Sequence, residues 1–380
     1  MSRPLSTTTP SSACGSSSSS PPSPSSPRRP SRLTRETLPS SSIRVLRSVD
    51  SLRAWRNPLR QDHRTVGLVP TMGALHEGHL ALIRAAAAEC HHVVVSLFLN
   101  PAQFGRNEDL SSYPSTWDAD AARLARLDRS LADDAANLGR LSAVFAPAVH
   151  DMYPEGFPGQ DPSSDGSFVT ITPLGRLLEG ASRPTFFRGV ATVCTKLFNA
   201  VQPDRVYFGQ KDAQQAVLIR RLVRDFLIPT QVVVVPTVRE SDGLALSSRN
   251  VYLGARRRNV APVLHDALLA AERAYASPHA AARDRDSILG PARDVAASVL
   301  AAQTALPASQ RALFEVDYLS LSDPDTMEEL ETVDPARGAI LSGAIKMLPA
   351  EDPQPGEDLG HSDGPSVRLI DNIVLKPVTP

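Results

Sequence analysis

The stretch GLVPTMGALHEGHLALIR, residues 67–84, constrains this chain more than any other. It opens in an apolar run (Val66, Leu68, Val69) suited to a buried strand. Pro70 has no N–H for a sheet ladder and is expected to end that run. Gly73 permits a tight turn and close approach of a ligand to the backbone. From Glu77 onward Leu80, Ile83 and Ala87 recur at helical spacing. The segment thus reads as strand, glycine-bearing loop and helix start. A helix start offers unpaired N–H groups and partial positive charge, which suit a phosphate. His76 and His79 stand three apart, so one turn puts them on one face. Two imidazoles there can donate hydrogen bonds to a phosphate and take up developing charge without a metal. A zinc H-E-x-x-H site spaces its histidines four apart, against three in HEGH, and the P-loop pattern G-x-x-x-x-G-K-[ST] is absent.

The chain has 380 residues, which predicts two domains. Its 40 basic and 41 acidic residues balance, so no nucleic-acid or membrane field is implied. Cysteine is sparse (Cys14, Cys90, Cys194), with no pairing or metal spacing, as suits a reducing compartment. No apolar run approaches the ~20 residues that cross a bilayer. A soluble, cytoplasmic protein is expected. Residues 1–42 are Ser- and Pro-rich and are expected to be disordered. Arg3, Arg28, Arg29, Arg32 and Arg35 precede the first acidic residue, Glu36, so a mitochondrial transit peptide is the alternative to a plain tail.

Further along, Val45 to Trp55 reads as a short strand and a helix burying Leu46, Leu52 and Trp55. Val93 to Leu99 is apolar on both faces, like an interior parallel strand, and Asn100-Pro101 ends it. Ligands in such sheets sit beyond the carboxyl ends of the strands, which places Asn100 and Gln103 near substrate. A loop from Asn107 leads into a helix through Leu127, and 129–140 reads as a polar insertion before the strand Ala143 to Phe145. Residues 159–166 read as an exposed loop. Val190 to Val201 is helical, with Arg183, Arg188 and Gly189 before it as another anion site. Val206 to Phe208 is a strand tipped by Gly209-Gln210-Lys211-Asp212; Lys211 suits a phosphate, and Asp212 a ribose hydroxyl or Mg²⁺. The helix Ala213 to Asp225 and the strand Gln231 to Val235 follow. Leu246-Ser247-Ser248-Arg249 then brings two hydroxyls and a guanidinium into one short loop, a combination suited to β- and γ-phosphates.

Five strands alternating with helices predict an α/β fold with a doubly wound parallel sheet over 43–237. Residues 238–380 predict a smaller α+β lid domain, with helices over 254–304, strands at Phe314 to Leu321, Ala339 to Met347 and Val367 to Leu375, and a polar insertion at 349–365.

PTMGALHEGH, followed by N-P-A-Q-F, G-Q-K-D and the Leu246–Arg249 loop, resembles the pantoate–β-alanine ligases of the H-x-G-H nucleotidyltransferase superfamily. The resemblance spans roughly residues 43–380. It implies a Rossmann-like sheet and an ATP-dependent condensation of pantoate with β-alanine through a pantoyl adenylate, a step of pantothenate biosynthesis that releases AMP and pyrophosphate. It implies ATP binding by Met72, Gly73, Ala74, Leu75, His76, Glu77, Gly78 and His79, by Gly209, Gln210, Lys211 and Asp212, and by Val238, Leu246, Ser247, Ser248 and Arg249. His79 is the group expected to assist phosphoryl transfer most directly, with His76 and Lys211 beside it. Gln103 and Gln215 should hold pantoate, with Asn100 and Arg183 near substrate. Mg²⁺ on the phosphates and a homodimer are implied as well; no residue is assigned as a metal ligand. Two positions depart from the family pattern. Ser115 replaces an Arg, and Phe186 stands where R-P-x-H-F has its His. Activity is expected without that imidazole, which is placed behind the groups that touch substrate. Three other readings are weighed. A nicotinamide-mononucleotide adenylyltransferase would keep AMP in its product. A class I aminoacyl-tRNA synthetase relative would carry a large basic region after the second loop, and none follows here. A non-catalytic ATP-binding regulator draws its support from Phe186 alone.

Overall fold

The apolar runs around Leu68 and Val94 form adjacent strands in a six-stranded parallel sheet. Its strands are β1 (Arg44–Leu46), β2 (Val66–Thr71), β3 (His92–Leu97), β4 (Arg140–Phe145), β5 (Arg205–Gly209) and β6 (Gln231–Val235), in the order β1-β4-β3-β2-β5-β6. Alternating side chains of each strand feed two cores. Leu68, Val94 and Phe208 pack with α1 (Val49–Gln61), α6 (Phe186–Val201) and α7 (Ala213–Asp225). Val69, Val93, Val95 and Tyr207 pack with α2 (Glu77–Glu89) and α3 (Trp117–Asp133). Two single-turn helices, α4 (Val149–Met152) and α5 (Glu179–Ser182), lie in the connections. The sheet order reverses between β2 and β5, and at such a switch point a crevice opens beyond the strand ends.

This computed structural model describes residues 37–377 except 106–109, 115, 160, 162 and 278–282. The tail up to residue 36 with its targeting alternative, Cys14, Ser115, and parts of the loops expected at 107–120 and 159–166 lie outside the described residues. Residues 37–42, expected to belong to the tail, instead form a tight turn closed by Leu38 N to Ile43 O (2.9 Å), which buries Leu38.

Several boundaries differ from expectation for physical reasons. Pro70 does not end β2; it continues opposite Ser96 of β3. Thr71 offers its carbonyl to Phe98 N (3.1 Å) on the β3 side, so the neighbouring Pro70 nitrogen faces β5. The β2–β5 ladder has already stopped at Leu68–Val206, so no N–H is needed there. The parallel sheet has six strands rather than five, because the short β1 joins its edge beside β4. β3 stops at Leu97, before Phe98 and Leu99. β6 is an edge strand and only partly buried. Residues 129–133 belong to α3, where Leu131 is buried, and β4 begins at Arg140, whose guanidinium pairs with buried Asp128. α6 starts at Phe186, so Arg188 and Gly189 lie inside it. Arg188 stacks on Phe168 and donates to Asp161 O (2.8 Å).

The rest of the chain builds a second, antiparallel sheet of β7 (Phe314–Ser322), β8 (Ala339–Met347) and β9 (Val367–Leu375), in that order. α9 (Val263–Ala276) and α10 (Arg285–Thr304) pack on it around their own core, preceded by α8 (Gly254–Val260). The polar segment 349–365 is pinned to α8. Arg257, 1 % exposed, donates to the carbonyls of Leu253 (2.8 Å), Pro365 (2.7 Å), Leu359 (3.0 Å) and Tyr252. Arg256 pairs with Glu357 (2.5 Å). No helix among the described residues is long and apolar enough to cross a membrane. Cys90 and Cys194 are buried and free.

Candidate active site

The loop after β2 turns through Gly73 (φ +88°) and Ala74 (φ +50°) and delivers the chain to α2. α3 holds that turn from the side. Its buried Asp120 accepts from Leu75 N (2.9 Å) and Thr116 Oγ1 (2.9 Å), while Arg123 donates to Leu75 O (2.6 Å). Neither Asp120 nor Arg123 stands out in the sequence, because each reads as an ordinary polar residue of an amphipathic helix.

His76 is the N-cap of α2, and its Nδ1 accepts from Gly78 N (3.2 Å). His79 Nδ1 accepts in turn from His76 N (3.3 Å), a reciprocal capping box made of two histidines. Backbone N–H groups can only donate. Both Nδ1 atoms are therefore unprotonated, and in the neutral rings each Nε2 carries the hydrogen. The ring centroids are 4.1 Å apart. Gly78 is needed for this geometry, because a Cβ there would lie 2.9 Å from the His76 ring. Burial, and then the charge of Lys211, lower the His76 pKa to about 4. Burial, then His76 and Lys211, hold His79 well below the ordinary histidine range. The pair therefore faces the cleft as neutral N–H donors at pH 7.

Across the switch point, β5 ends in Gly209–Asp212, with Lys211 Nζ 3.4 Å from Asp212 Oδ1. The loop after β6 brings in the third group. Ser248 Oγ donates to Ala74 O (3.1 Å), tying this loop to the histidine loop. Ser247 Oγ caps a short 3₁₀ turn, Ser248–Tyr252, by accepting from Arg249 N (3.2 Å). A capping serine need not touch a ligand, but Ser247 fills that role while still lining the cleft.

These groups share one cleft of about 1080 Å³. Met72, His76, Gly78, His79, Gly209, Lys211, Asp212, Val238, Leu246, Ser247, Ser248 and Arg249 all line it, as do Gln103, Gln215 and Arg183. Gly73, Ala74 and Leu75 shape the loop without lining the cleft, Leu75 being buried. Glu77 is exposed and pairs with Arg84 (2.5 Å). Gln210 directs its amide to Asn372 Oδ1 (3.3 Å).

Asn100 is a correction. It is fully buried and does not line the cleft. Its Nδ2 donates to Gln103 Oε1 (2.9 Å) and Gly189 O (3.3 Å), and its Oδ1 accepts from Tyr153 OH (2.6 Å). Asn100 thus holds Gln103, and Gln103 alone of the two meets the cleft. Arg183 donates to Glu179 Oε1 (3.0 Å) and Gln103 O (3.0 Å), and its guanidinium lies 3.8 Å from the Phe186 ring centre. Phe186 itself lines the cleft, so this ring forms part of the wall rather than a layer behind it. Among the described residues no group of three or more His, Cys, Asp or Glu could hold a metal ion.

Comparison with known proteins places this geometry in context. The family model described as pantoate-beta-alanine ligase matches residues 44–374. A pantothenate synthetase of Chloroflexus aurantiacus is 45% identical over 311 residues, covering 82% of this chain and 92% of that protein. The crystal structure of a pantothenate synthetase from Thermus thermophilus superposes with a TM-score of 0.67 at 38% identity, covering 88% of this chain and 100% of that one. A pantoate-beta-alanine ligase from Francisella tularensis, solved in complex with beta-gamma ATP and beta-alanine, has a TM-score of 0.61 at 27% identity, covering 87% and 97%.

Proposed function

Because the chain belongs to the pantoate-beta-alanine ligase family, we propose that its cleft performs the ATP-dependent condensation of pantoate with β-alanine, with the steps divided as follows. The pantoate carboxylate attacks the α-phosphorus in line. The bond from that phosphorus to the bridging oxygen breaks, and pyrophosphate leaves with the electron pair. The β-alanine amine then attacks the acyl carbon of pantoyl adenylate, AMP departs, and the amine loses a proton to give pantothenate. Neither step needs a protein nucleophile, so catalysis consists of positioning and charge stabilisation.

One observation carries this reading: the histidine pair, Lys211 and the Ser247–Arg249 turn line the same cleft as Gln103 and Gln215. His76 and His79 donate from Nε2 to the triphosphate, with His79, in the first turn of α2, assisting departure of pyrophosphate. Lys211, Ser247, Ser248 and Arg249 take the β- and γ-phosphates. Gln103 and Gln215 hold the pantoate hydroxyls, and Arg183 its carboxylate. The second sheet and its helices, from residue 238 onward, act as the lid that keeps water from the adenylate. Mg²⁺ would be held chiefly by phosphate oxygens and water, with Asp212 the carboxylate at hand on the β5 tip, and would neutralise phosphate charge. A homodimer in the cytoplasm is the setting the family resemblance supports; light scattering tests the assembly.

Purified protein given ATP and pantoate should release pyrophosphate before β-alanine is added, and form pantothenate and AMP afterwards. His79→Ala should abolish the first release with the fold retained by circular dichroism. Unimpaired release from that variant would refute the role given to His79.

A further inference from the structure

Two consecutive residues of β9, Asp371 and Asn372, are buried and polar; Asp371 reaches the wall of the cleft, and neither takes part in the division of roles above. They belong to the second sheet, yet their side chains grip loops of the first. The Asp371 carboxylate takes both terminal nitrogens of Arg239, at 2.5 and 2.9 Å. Arg239 also donates to Gly243 O (3.0 Å). That contact fixes a hairpin which the Arg239–Ala245 bridge and Leu246 N to Val238 O (3.0 Å) hold closed. The hairpin runs straight into Ser247–Arg249. Asn372 reaches the other loop. Its Nδ2 donates to Gln210 O (2.7 Å) and Lys211 O (2.8 Å), while its Oδ1 accepts from Gln210 Nε2 (3.3 Å). Asp371 Oδ1 also accepts from the backbone N–H of Asn372 (2.8 Å), which fixes the carboxylate against the strand.

We infer that Asp371 and Asn372 are positioning residues for adenylate formation: one dipeptide sets the separation between Lys211 and the Ser247–Arg249 turn. This rests on the reading of both loops as grips on the triphosphate. A cation that draws off pyrophosphate charge acts only where that charge develops, and a misplacement of about 1 Å far from the chemistry can cost ~100-fold. Aminolysis begins after pyrophosphate has left; it draws on the lid as a whole to keep water out, and not on the spacing between these two phosphate loops. The dipeptide therefore acts on the first half-reaction and not on the second.

The two half-reactions can be measured separately on full-length protein: pantoate-dependent pyrophosphate release, and aminolysis of chemically prepared pantoyl adenylate by β-alanine. Asn372→Ala removes all three side-chain hydrogen bonds, and Asn372→Asp keeps the size but loses both donors. Arg239→Lys keeps the charge opposite Asp371 but not the two-pronged grip, and it serves where a change at Asn372 prevents folding. Each variant should lower pyrophosphate release on the order of 100-fold while aminolysis stays within about twofold of the parent. Equal losses in both half-reactions, or no loss in either, overturn the inference. Failure of the unaltered protein to release pyrophosphate would instead remove the ligase reading, and the inference with it.

Discussion

Replacing His76 with asparagine would keep the cap on α2 and take away its proton site. Asparagine is among the best N-cap residues, and its side-chain oxygen can accept from the same first-turn N–H. In the folded chain burial and Lys211 hold the His76 pKa at about 4, against 6.5 in the unfolded chain. Below pH 6.5 the unfolded chain takes up a proton that the folded chain refuses until about pH 4, so stability falls as pH falls through that window. Between pH 7 and pH 5 the difference amounts to about 2 kcal/mol, since each tenfold difference in proton affinity is worth ~1.4 kcal/mol. Urea unfolding followed by tryptophan fluorescence at the two pH values measures it. His79 contributes in the same direction in both proteins; burial, the largest cause of its low pKa, persists in His76→Asn, so most of its contribution cancels in the comparison. The parent should therefore lose about 2 kcal/mol more than His76→Asn on going from pH 7 to pH 5. Equal losses in the two proteins would show that the folded His76 imidazole is not held neutral, and the assignment of its Nε2 as a neutral donor would fail with it. The same variant should be slower in pyrophosphate release, having lost one of the two donors.

Three further substitutions probe the pantoate side of the cleft. Gly189→Ala would put a methyl group 2.1 Å from Ala102 O, backbone that cannot swing aside; a loss of roughly 1–3 kcal/mol in urea unfolding and a raised KM for pantoate are expected, and unchanged values would refute the close contact. Asn100→Ala frees Gln103 and leaves the Tyr153 hydroxyl without its Asn100 acceptor, so about 1–3 kcal/mol of stability should go, together with pantoate affinity. Arg183→Lys cannot reproduce the bonds to Glu179 and Gln103 or the stack on Phe186, and steady-state kinetics should show KM for pantoate rising about tenfold with KM for ATP little changed.

Much of the fold was legible because its strands are short apolar runs and its phosphate loops carry glycine, histidine and lysine in recognisable order. The misreadings have definite causes. Pro70 argues for a strand end only if its missing N–H has a partner strand to face, and the divergence of β2 from β5 is not written locally. Asn100 and Gln103 look alike as amides after a strand, but only Tyr153 and Gly189, distant in sequence, decide which of them turns inward. Residues 129–133 look polar because they lie near the end of a helix whose single buried side, at Leu131, is easily outvoted. The Asp371–Asn372 brace stayed out of sight because its partners stand about 130 and 160 residues earlier in the chain, and a buried polar pair in a strand shows no periodicity.

The segment 349–365 reads as the most expendable stretch of the chain, yet it solvates an ion. The Arg257 guanidinium is shut away from water, with peptide dipoles in place of a carboxylate, and Leu359 and Pro365 supply two of them. Shortening that loop would take two of those carbonyls from a buried positive charge and leave it chiefly those of Tyr252 and Leu253, at a cost of about 1–3 kcal/mol for each lost partner. A homologue that lacks the loop is therefore expected to carry a different residue at the position of Arg257, and trimming the loop calls for replacing Arg257 with it.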